Sequence, residues 1–184
     1  MKSKFLIIKN ILDKSEITLL STVAKTFIRS APLTKEFFDD VDAQYTGGSF
    51  RIYGHPVFDS LLLTKYKIFE EKIGKKLFPT YSYFRMYTKY QSLIKHKDRA
   101  HCEYTISINI DSSENKPWPI YIGDKSVSLE KGDGVIYKGE KTQHWREPLK
   151  QDYSSQVFLH YVDADGPNKN LVLDQRKVLG ESLV

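Results

Sequence analysis

The chain has 184 residues, of which 40% are hydrophobic and 28% charged, and these proportions are typical of one soluble globular domain. Its apolar runs, such as residues 5–8, are too short to span a bilayer, so we expect no membrane association. The net charge of +5 is spread along the chain, which disfavours a nucleic-acid partner without excluding one. The single cysteine, Cys102, excludes an internal disulfide and, with no signal-peptide pattern, predicts a cytoplasmic protein.

The N-terminal part of the chain predicts one strand and two helices. Residues 5–10 favour a short edge strand. Asp13 and Glu16 form the pattern of a helix cap, and apolar residues then recur at helical spacing as far as Ile28. A second amphipathic segment over residues 56–74 begins with a proline and ends with a glycine, the usual bounds of a helix. These helices are expected to cover one face of a larger structure.

Two segments lack a clear period. Residues 31–54 contain a glycine pair and three aspartates, and this composition predicts a loop. We advance the hypothesis that this loop folds over the functional site as a lid. The tail at residues 164–184 is expected to be either a short terminal helix or loose.

From Tyr81 onward the pattern changes to the alternation of β-strands. Tyr81, Tyr83, Arg85 and Tyr87 share one face of the first strand. Further strand-like runs follow, bounded by turn residues, at residues 103–110, 119–122, 126–129, 134–138 and 155–162. Short strands broken by turns predict an antiparallel sandwich or barrel. The chain is therefore expected to be mainly β, a jelly roll backed by N-terminal helices.

Two histidines and an aspartate form the candidate site. Residues i and i+2 of an extended segment point to the same side, so His96 and Asp98 can bind one ion while Lys97 points away. His144, after a strand-like run, supplies a third donor from a distant part of the chain. Two imidazoles and a carboxylate can hold one face of an octahedral iron(II) and leave the opposite face open. Because the motif is short, a surface turn and a core histidine remain as alternative interpretations.

The order of these residues resembles the iron(II)/2-oxoglutarate dioxygenase family, and within it the prolyl-4-hydroxylase-like branch. The resemblance spans about residues 80–163 and is carried by Arg85-Met86-Tyr87, His96-Lys97-Asp98, Gly132-Asp133, Tyr137, His144 and Phe158-Leu159-His160-Tyr161. It implies a single domain with a double-stranded β-helix at residues 80–163, helical support at 1–79 and a tail at 164–184. It also implies Fe(II), dioxygen and 2-oxoglutarate, whose decarboxylation to succinate is coupled to hydroxylation of an unknown substrate, for example a protein or amino-acid side chain.

By this resemblance His96, Asp98 and His144 are the metal ligands and the catalytic centre, and Tyr87 binds the co-substrate. Many relatives place an arginine or lysine about ten residues after the second histidine, where it binds the distal carboxylate of 2-oxoglutarate. Residues 153–156 here are Tyr-Ser-Ser-Gln, with no cation. Another cation should therefore substitute. Arg146, on the same side as His144, is the first candidate, and Arg85 the second.

Several further assignments depend on which way side chains face. Ser107 belongs to a polar strand face that could point to solvent or to the co-substrate pocket; we favour the pocket, because in the fold that the resemblance implies this strand turns inward. Arg146 could instead form an exposed salt bridge, Tyr87 could simply pack within the sheet, and His160 is assigned to the sheet and not to the metal. Two other functions also fit the sequence. One is a non-catalytic, cupin-like domain that binds a metal or small ligand, and the other is a nucleic-acid demethylase of the same superfamily.

Overall fold

Ten antiparallel strands build two sheets in the part of the chain that this computed structural model describes, residues 4–30 and 50–181. The strands are β1 (Phe5–Ile8), β2 (Phe50–Tyr53), β3 (Leu77–Thr88), β4 (Leu93–His96), β5 (Tyr104–Ser112), β6 (Ile120–Ile122), β7 (Lys125–Val127), β8 (Gly134–Tyr137), β9 (His144–Arg146) and β10 (Tyr153–Asp163). One sheet has the order β1-β8-β5-β10-β3-β2 and the other β4-β9-β6-β7. The predicted jelly roll is therefore confirmed.

Two helices, α1 (Lys14–Ser30) and α2 (Pro56–Ile73), cover one face of the six-stranded sheet. The predicted cap of α1 is present, because the Glu16 amide donates to Asp13 Oδ1 at 2.8 Å and the Asp13 amide donates to Glu16 Oε2 at 2.9 Å. Helix α2 ends at Gly74, whose φ of 75° lies in the left-handed region that glycine tolerates. No helix among the described residues is long and apolar enough to cross a membrane.

The six-stranded sheet separates an apolar layer from a polar interior. On β3, Phe84 and Met86 join the core that the helices cover, whereas Tyr87 packs on the opposite side with Trp118. On β5, Ile106 and Ile108 belong to the same helix-covered core. The alternate residues of β3 and β5 therefore face the space between the two sheets, as the alternation of the sequence predicts.

The N-terminal segments differ in part from the sequence-based expectations. The predicted edge strand lies at the edge of the six-stranded sheet as β1. The prediction of a loop at residues 31–54 is wrong for residues 50–53, which form β2 and pair with β3. Residues 31–49, on which the lid hypothesis mainly rests, lie outside the described residues. In the tail, Lys169–Gln175 forms an irregular 3-10 segment.

Candidate metal centre

Strand pairing brings the two histidines together. β4 ends at His96, β9 begins at His144, and these residues are direct partners in the register of the four-stranded sheet. Asp98 lies two residues beyond β4, where its amide donates to the Gly139 carbonyl at 3.0 Å. Its Oδ1 is 3.3 Å from His96 Nε2 and 3.4 Å from His144 Nε2. One ligand atom from each residue lies within 4.8 Å of the others, a spacing that one metal ion can bridge.

Backbone carbonyls orient both imidazoles toward the centre. His96 Nδ1 lies 2.7 Å from the Ile94 carbonyl, and His144 Nδ1 lies 3.0 Å from the Thr142 carbonyl. A carbonyl only accepts, so each Nδ1 donates a proton to its carbonyl, and Nε2 is the ring nitrogen that faces Asp98. This arrangement of a second hydrogen bond on the far nitrogen is usual for histidines that ligate metals.

Asp98 is held as a carboxylate. Burial alone would raise its pKa, but the hydrogen bonds with His144 and His96 outweigh burial and hold the pKa of Asp98 well below its usual value. Its second oxygen, Oδ2, accepts from Thr105 Oγ1 at 3.1 Å, and Thr105 Oγ1 is also 3.2 Å from His160 Nδ1. Asp98 Oδ1 is therefore directed at the histidines, while Oδ2 is occupied by the protein.

A second group of potential ligands surrounds the far side of Asp98. One atom from each of Asp98, Cys102 and His160 lies within 4.8 Å of the others. Burial raises the pKa of the Cys102 thiol, which lies 3.1 Å from Tyr81 Oη, so it is protonated and a poor ligand. Burial lowers the pKa of His160 to about 4, so His160 is neutral at physiological pH. His160 reaches Asp98 through Thr105 Oγ1, a role that its prediction as a sheet residue did not include.

A cavity of about 240 Å³ opens beside the centre. Its other walls are largely aromatic side chains that the sequence did not identify as site residues: Tyr53, Tyr81, Tyr83, Tyr137 and Phe158. The tyrosines of β3 were visible in the sequence as one face of an alternating strand. Tyr53 had no such signal, because β2 was interpreted as loop.

Comparison with known proteins gives matches only at the level of structure. No protein-family model matches the chain, and no curated protein matches it. SnoK, a non-heme alpha ketoglutarate dependent carbocyclase from nogalamycin biosynthesis, has 15% identity and a TM-score of 0.70 over 100% of this chain and 90% of that chain. A viral collagen prolyl hydroxylase from Paramecium Bursaria Chlorella virus-1 has 14% identity and a TM-score of 0.63, covering 87% and 96% of the two chains. A Trichoplax adhaerens prolyl hydroxylase, in complex with a hypoxia inducible factor peptide, has 14% identity and a TM-score of 0.67, covering 88% and 84%.

The chain has the fold of the 2-oxoglutarate-dependent oxygenases. At these identities the likeness concerns the fold, and it includes prolyl hydroxylases, as the resemblance in sequence predicted.

Within this oxygenase fold, the four predicted co-substrate residues are all buried and none lines the cavity beside the metal centre. Arg146 follows His144 on β9 with its side chain on the same side, and its guanidinium lies over the Trp118 ring, 4.8 Å from the centroid. Tyr87 packs edge-on against the Trp118 ring, with 4.8 Å between the two ring centroids. Arg85 Cζ lies 5.4 Å from the centroid of the Tyr87 ring. The alternative of an exposed salt bridge for Arg146 is wrong, because the residue is 2% exposed.

In residues 153–156, where the resemblance in sequence implied a cation, Gln156 is a neutral, hydrogen-bonded side chain. Gln156 is buried, and its Nε2 donates to Asn109 Oδ1 at 3.1 Å and to Ser154 Oγ at 3.0 Å. Its Oε1 accepts from Arg146 Nη2 at 3.4 Å. Arg146 thus approaches the same interior region from the opposite sheet.

Ser107 points into the same interior space from β5. Its side chain is fully buried, and Oγ has no hydrogen-bond partner among the described residues. A buried hydroxyl without a partner costs about 1–3 kcal/mol. A ligand oxygen bound in this space would remove that cost, so the residues present fit an oxygen-rich co-substrate.

Proposed function

We propose that the chain is an iron(II)- and 2-oxoglutarate-dependent oxygenase that hydroxylates a substrate still to be identified. The convergence of His96, Asp98 and His144 at one end of the interior carries this proposal. In the same fold, solved neighbours include a prolyl hydroxylase with 2-oxoglutarate and HygX with nickel and 2-oxoglutarate bound. The convergence supplies the ligand set that non-haem oxygenases use.

His96, Asp98 and His144 would hold Fe(II) through two neutral imidazoles and one carboxylate oxygen. When bound, the metal would supply the activation of dioxygen beside the co-substrate. The protein's own contribution is orientation: carbonyls direct the imidazoles, and Thr105 directs the carboxylate. The aromatic walls of the cavity would exclude bulk water from the reacting centre.

Arg146 would bind the distal carboxylate of 2-oxoglutarate. Two residues along a strand span about 6.6 Å, which is comparable with the length of a five-carbon dicarboxylate. The keto acid could therefore lie at the metal near His144 while the far carboxylate meets Arg146. A guanidinium can donate two parallel hydrogen bonds to a carboxylate. Ser107 and Tyr87 would add hydroxyl groups to this pocket, and Arg85 is the second candidate for the carboxylate.

A non-catalytic, cupin-like binding domain is the other function that these ligands could serve. It would use the same three residues for a metal ion but would not turn over. The buried Arg146 favours the oxygenase over a domain that binds only a metal, since 2-oxoglutarate would give its guanidinium a carboxylate partner. A cupin-like domain that binds a small ligand differs from the oxygenase in turnover.

A spectroscopic and turnover test distinguishes the oxygenase from the cupin-like binding domain. Anaerobic addition of Fe(II) and 2-oxoglutarate should give a weak visible charge-transfer band, and admission of oxygen should yield succinate slowly even without primary substrate. His144→Ala should remove both signals. His55→Asn is the matched control, because His55 caps α2 through the Val57 amide and packs against Phe27 and Phe58 on the helix side of the sheet. Metal binding without the band and without succinate would support the binding domain and contradict the oxygenase.

A further inference from the structure

One aspartate of the C-terminal segment joins three elements that surround the cavity. Asp174 is 7% exposed. Its Oδ2 accepts from Arg99 Nη2 at 2.6 Å and from the Tyr53 hydroxyl, and its Oδ1 lies 3.1 Å from His101 Nε2. Tyr53 and Arg99 both line the cavity beside the metal centre. The C-terminal segment therefore reaches the wall of the site without lining it.

The backbone that presents Asp174 is unusual. Leu173, Asp174 and Gln175 have φ values of 57°, 53° and 63°, in the left-handed region that non-glycine residues rarely adopt. Such a run persists only where surrounding contacts impose it. Arg176 provides one of these contacts, since its fully buried side chain donates to Asp59 Oδ2 at 2.8 Å and to the Thr80 carbonyl at 3.0 Å. Strained backbone of this kind is concentrated at functional sites.

Two partners of Asp174 belong to the segment that carries a metal ligand. Arg99 follows Asp98 directly, and His101 lies in the 3-10 turn at Ala100–Cys102. Other contacts hold the backbone of this segment and its two ends: the Asp98 amide donates to the Gly139 carbonyl, Thr80 Oγ1 donates to the His101 carbonyl at 2.9 Å, and the Glu140 amide donates to the Cys102 carbonyl at 3.3 Å. Asp174 thus fixes two side chains that lie one and three residues beyond the ligand.

We propose that Asp174 is a positioning residue of the metal centre: by holding Arg99, His101 and Tyr53 it orients the Asp98 segment and one wall of the cavity. This inference rests on the proposed function only where it concerns metal binding. Its structural part, that Asp174 orders residues 97–102, holds whether or not the chain is an oxygenase.

A closely matched aspartate elsewhere in the chain separates positioning from general stability. Asp111 is also buried, pairs with Lys25 at 3.2 Å and with Lys131, and accepts from the Tyr153 hydroxyl at 3.1 Å. Like Asp174 it therefore has two basic partners and one tyrosine. It lies six residues along β5 from Thr105, about 20 Å at the rise of a strand. Asp111→Asn removes a comparable network away from the metal centre.

The first measurement is hydrogen exchange of the metal-free protein. Asp174→Asn should accelerate exchange at least about 10-fold in peptides covering residues 97–104, because hydrogen bonds to a charged group that hold the segment closed are lost. Asp111→Asn should leave those peptides unchanged. His101→Leu, which removes one partner and keeps the aspartate, gives a second variant if Asp174→Asn does not fold. Unchanged exchange at residues 97–104 in the variant that folds overturns the proposal.

The second measurement is the affinity for Mn²⁺ alone, by calorimetry. Asp174→Asn should weaken Mn²⁺ binding about 10-fold relative to Asp111→Asn. If the unsubstituted chain fails to bind Mn²⁺, the proposed function fails while the exchange experiment still decides the role of Asp174. If both aspartate variants bind Mn²⁺ as the unsubstituted chain does, Asp174 is a structural residue and the proposal is wrong.

Discussion

Individual charged side chains in the interior between the sheets divide into two regions. At the metal end, Asp98 is a carboxylate held by two imidazoles, and its depressed pKa keeps it ionised. Deeper inside, Arg85 and Arg146 are 1% and 2% exposed. Burying a guanidinium is costly unless its donors are satisfied, so such residues usually serve a ligand or a network. The metal centre at Asp98 and the buried arginines are therefore separate sites in one interior. A ligand that binds the metal with one end and has a carboxylate at the other end would occupy both.

Arg146→Gln tests this assignment. We expect the concentration of 2-oxoglutarate needed for half-maximal succinate formation to rise about 10-fold or more, because a charge-assisted hydrogen bond contributes about 1.5–3 kcal/mol. Mn²⁺ affinity without co-substrate should be unchanged, since Arg146 does not touch the ligands. An unaltered co-substrate requirement in this variant, with a raised one in Arg85→Gln, would assign the carboxylate to Arg85.

At the scale of elements, the turn between β8 and β9 is shaped around the centre. Gly139 accepts the Asp98 amide hydrogen bond through its carbonyl. A Cβ placed at Gly139 would overlap Asp98 Oδ2 and Thr105 Oγ1 and would lie 2.9 Å from the Cys102 carbonyl. Its φ is not positive, so the requirement for glycine here is close approach and not backbone conformation.

Gly139→Ala should therefore displace Asp98 and weaken Mn²⁺ binding by at least about 10-fold, in the range seen when outer-shell support is lost. Gly134→Ala is the control, since its added Cβ would meet Ile11 and Ile108 in the helix-covered core and not the metal centre. Both variants should lower the melting temperature. The expectation fails if Gly139→Ala binds Mn²⁺ as tightly as Gly134→Ala does.

Local sequence patterns predicted the bounds of the helices but missed one short strand. The cap at Asp13 and the end of α2 at Gly74 follow from neighbouring residues, and both are confirmed. The strand β2 was missed because four residues carry too little periodicity to outweigh an irregular, glycine-containing context.

Across the whole molecule, the parts of the site that sequence patterns did not show are long-range contacts. Asp174 lies 121 residues from Tyr53 and 75 from Arg99, and a backbone forced into positive φ at non-glycine residues has no local signature. His160 was interpreted correctly as part of a strand, but its contact with Thr105 depends on the pairing of β10 with β5. The sequence motif predicted the metal ligands, whereas the residues that orient them became visible only in the fold.

The stability of the whole metal-free protein should depend on pH through His160. Burial depresses its folded-state pKa to about 4 from a usual value of 6.5. Above pH 6.5 neither state binds the proton and the contribution of neutral His160 is complete. As the pH falls toward 4 the unfolded chain takes up a proton that the folded chain does not, and up to about 3 kcal/mol of the free energy of unfolding is lost.

His160→Asn keeps a polar group near Thr105 but cannot titrate, so its free energy of unfolding should fall less steeply between pH 7 and 4.5. Urea unfolding of both proteins, with chelator present, measures the two slopes. His55 and His101, whose pKa values burial also lowers, are present in both proteins and cancel in the difference. Parallel slopes would contradict the prediction, because they would mean that His160 takes up its proton at the same pH in the folded and the unfolded chain.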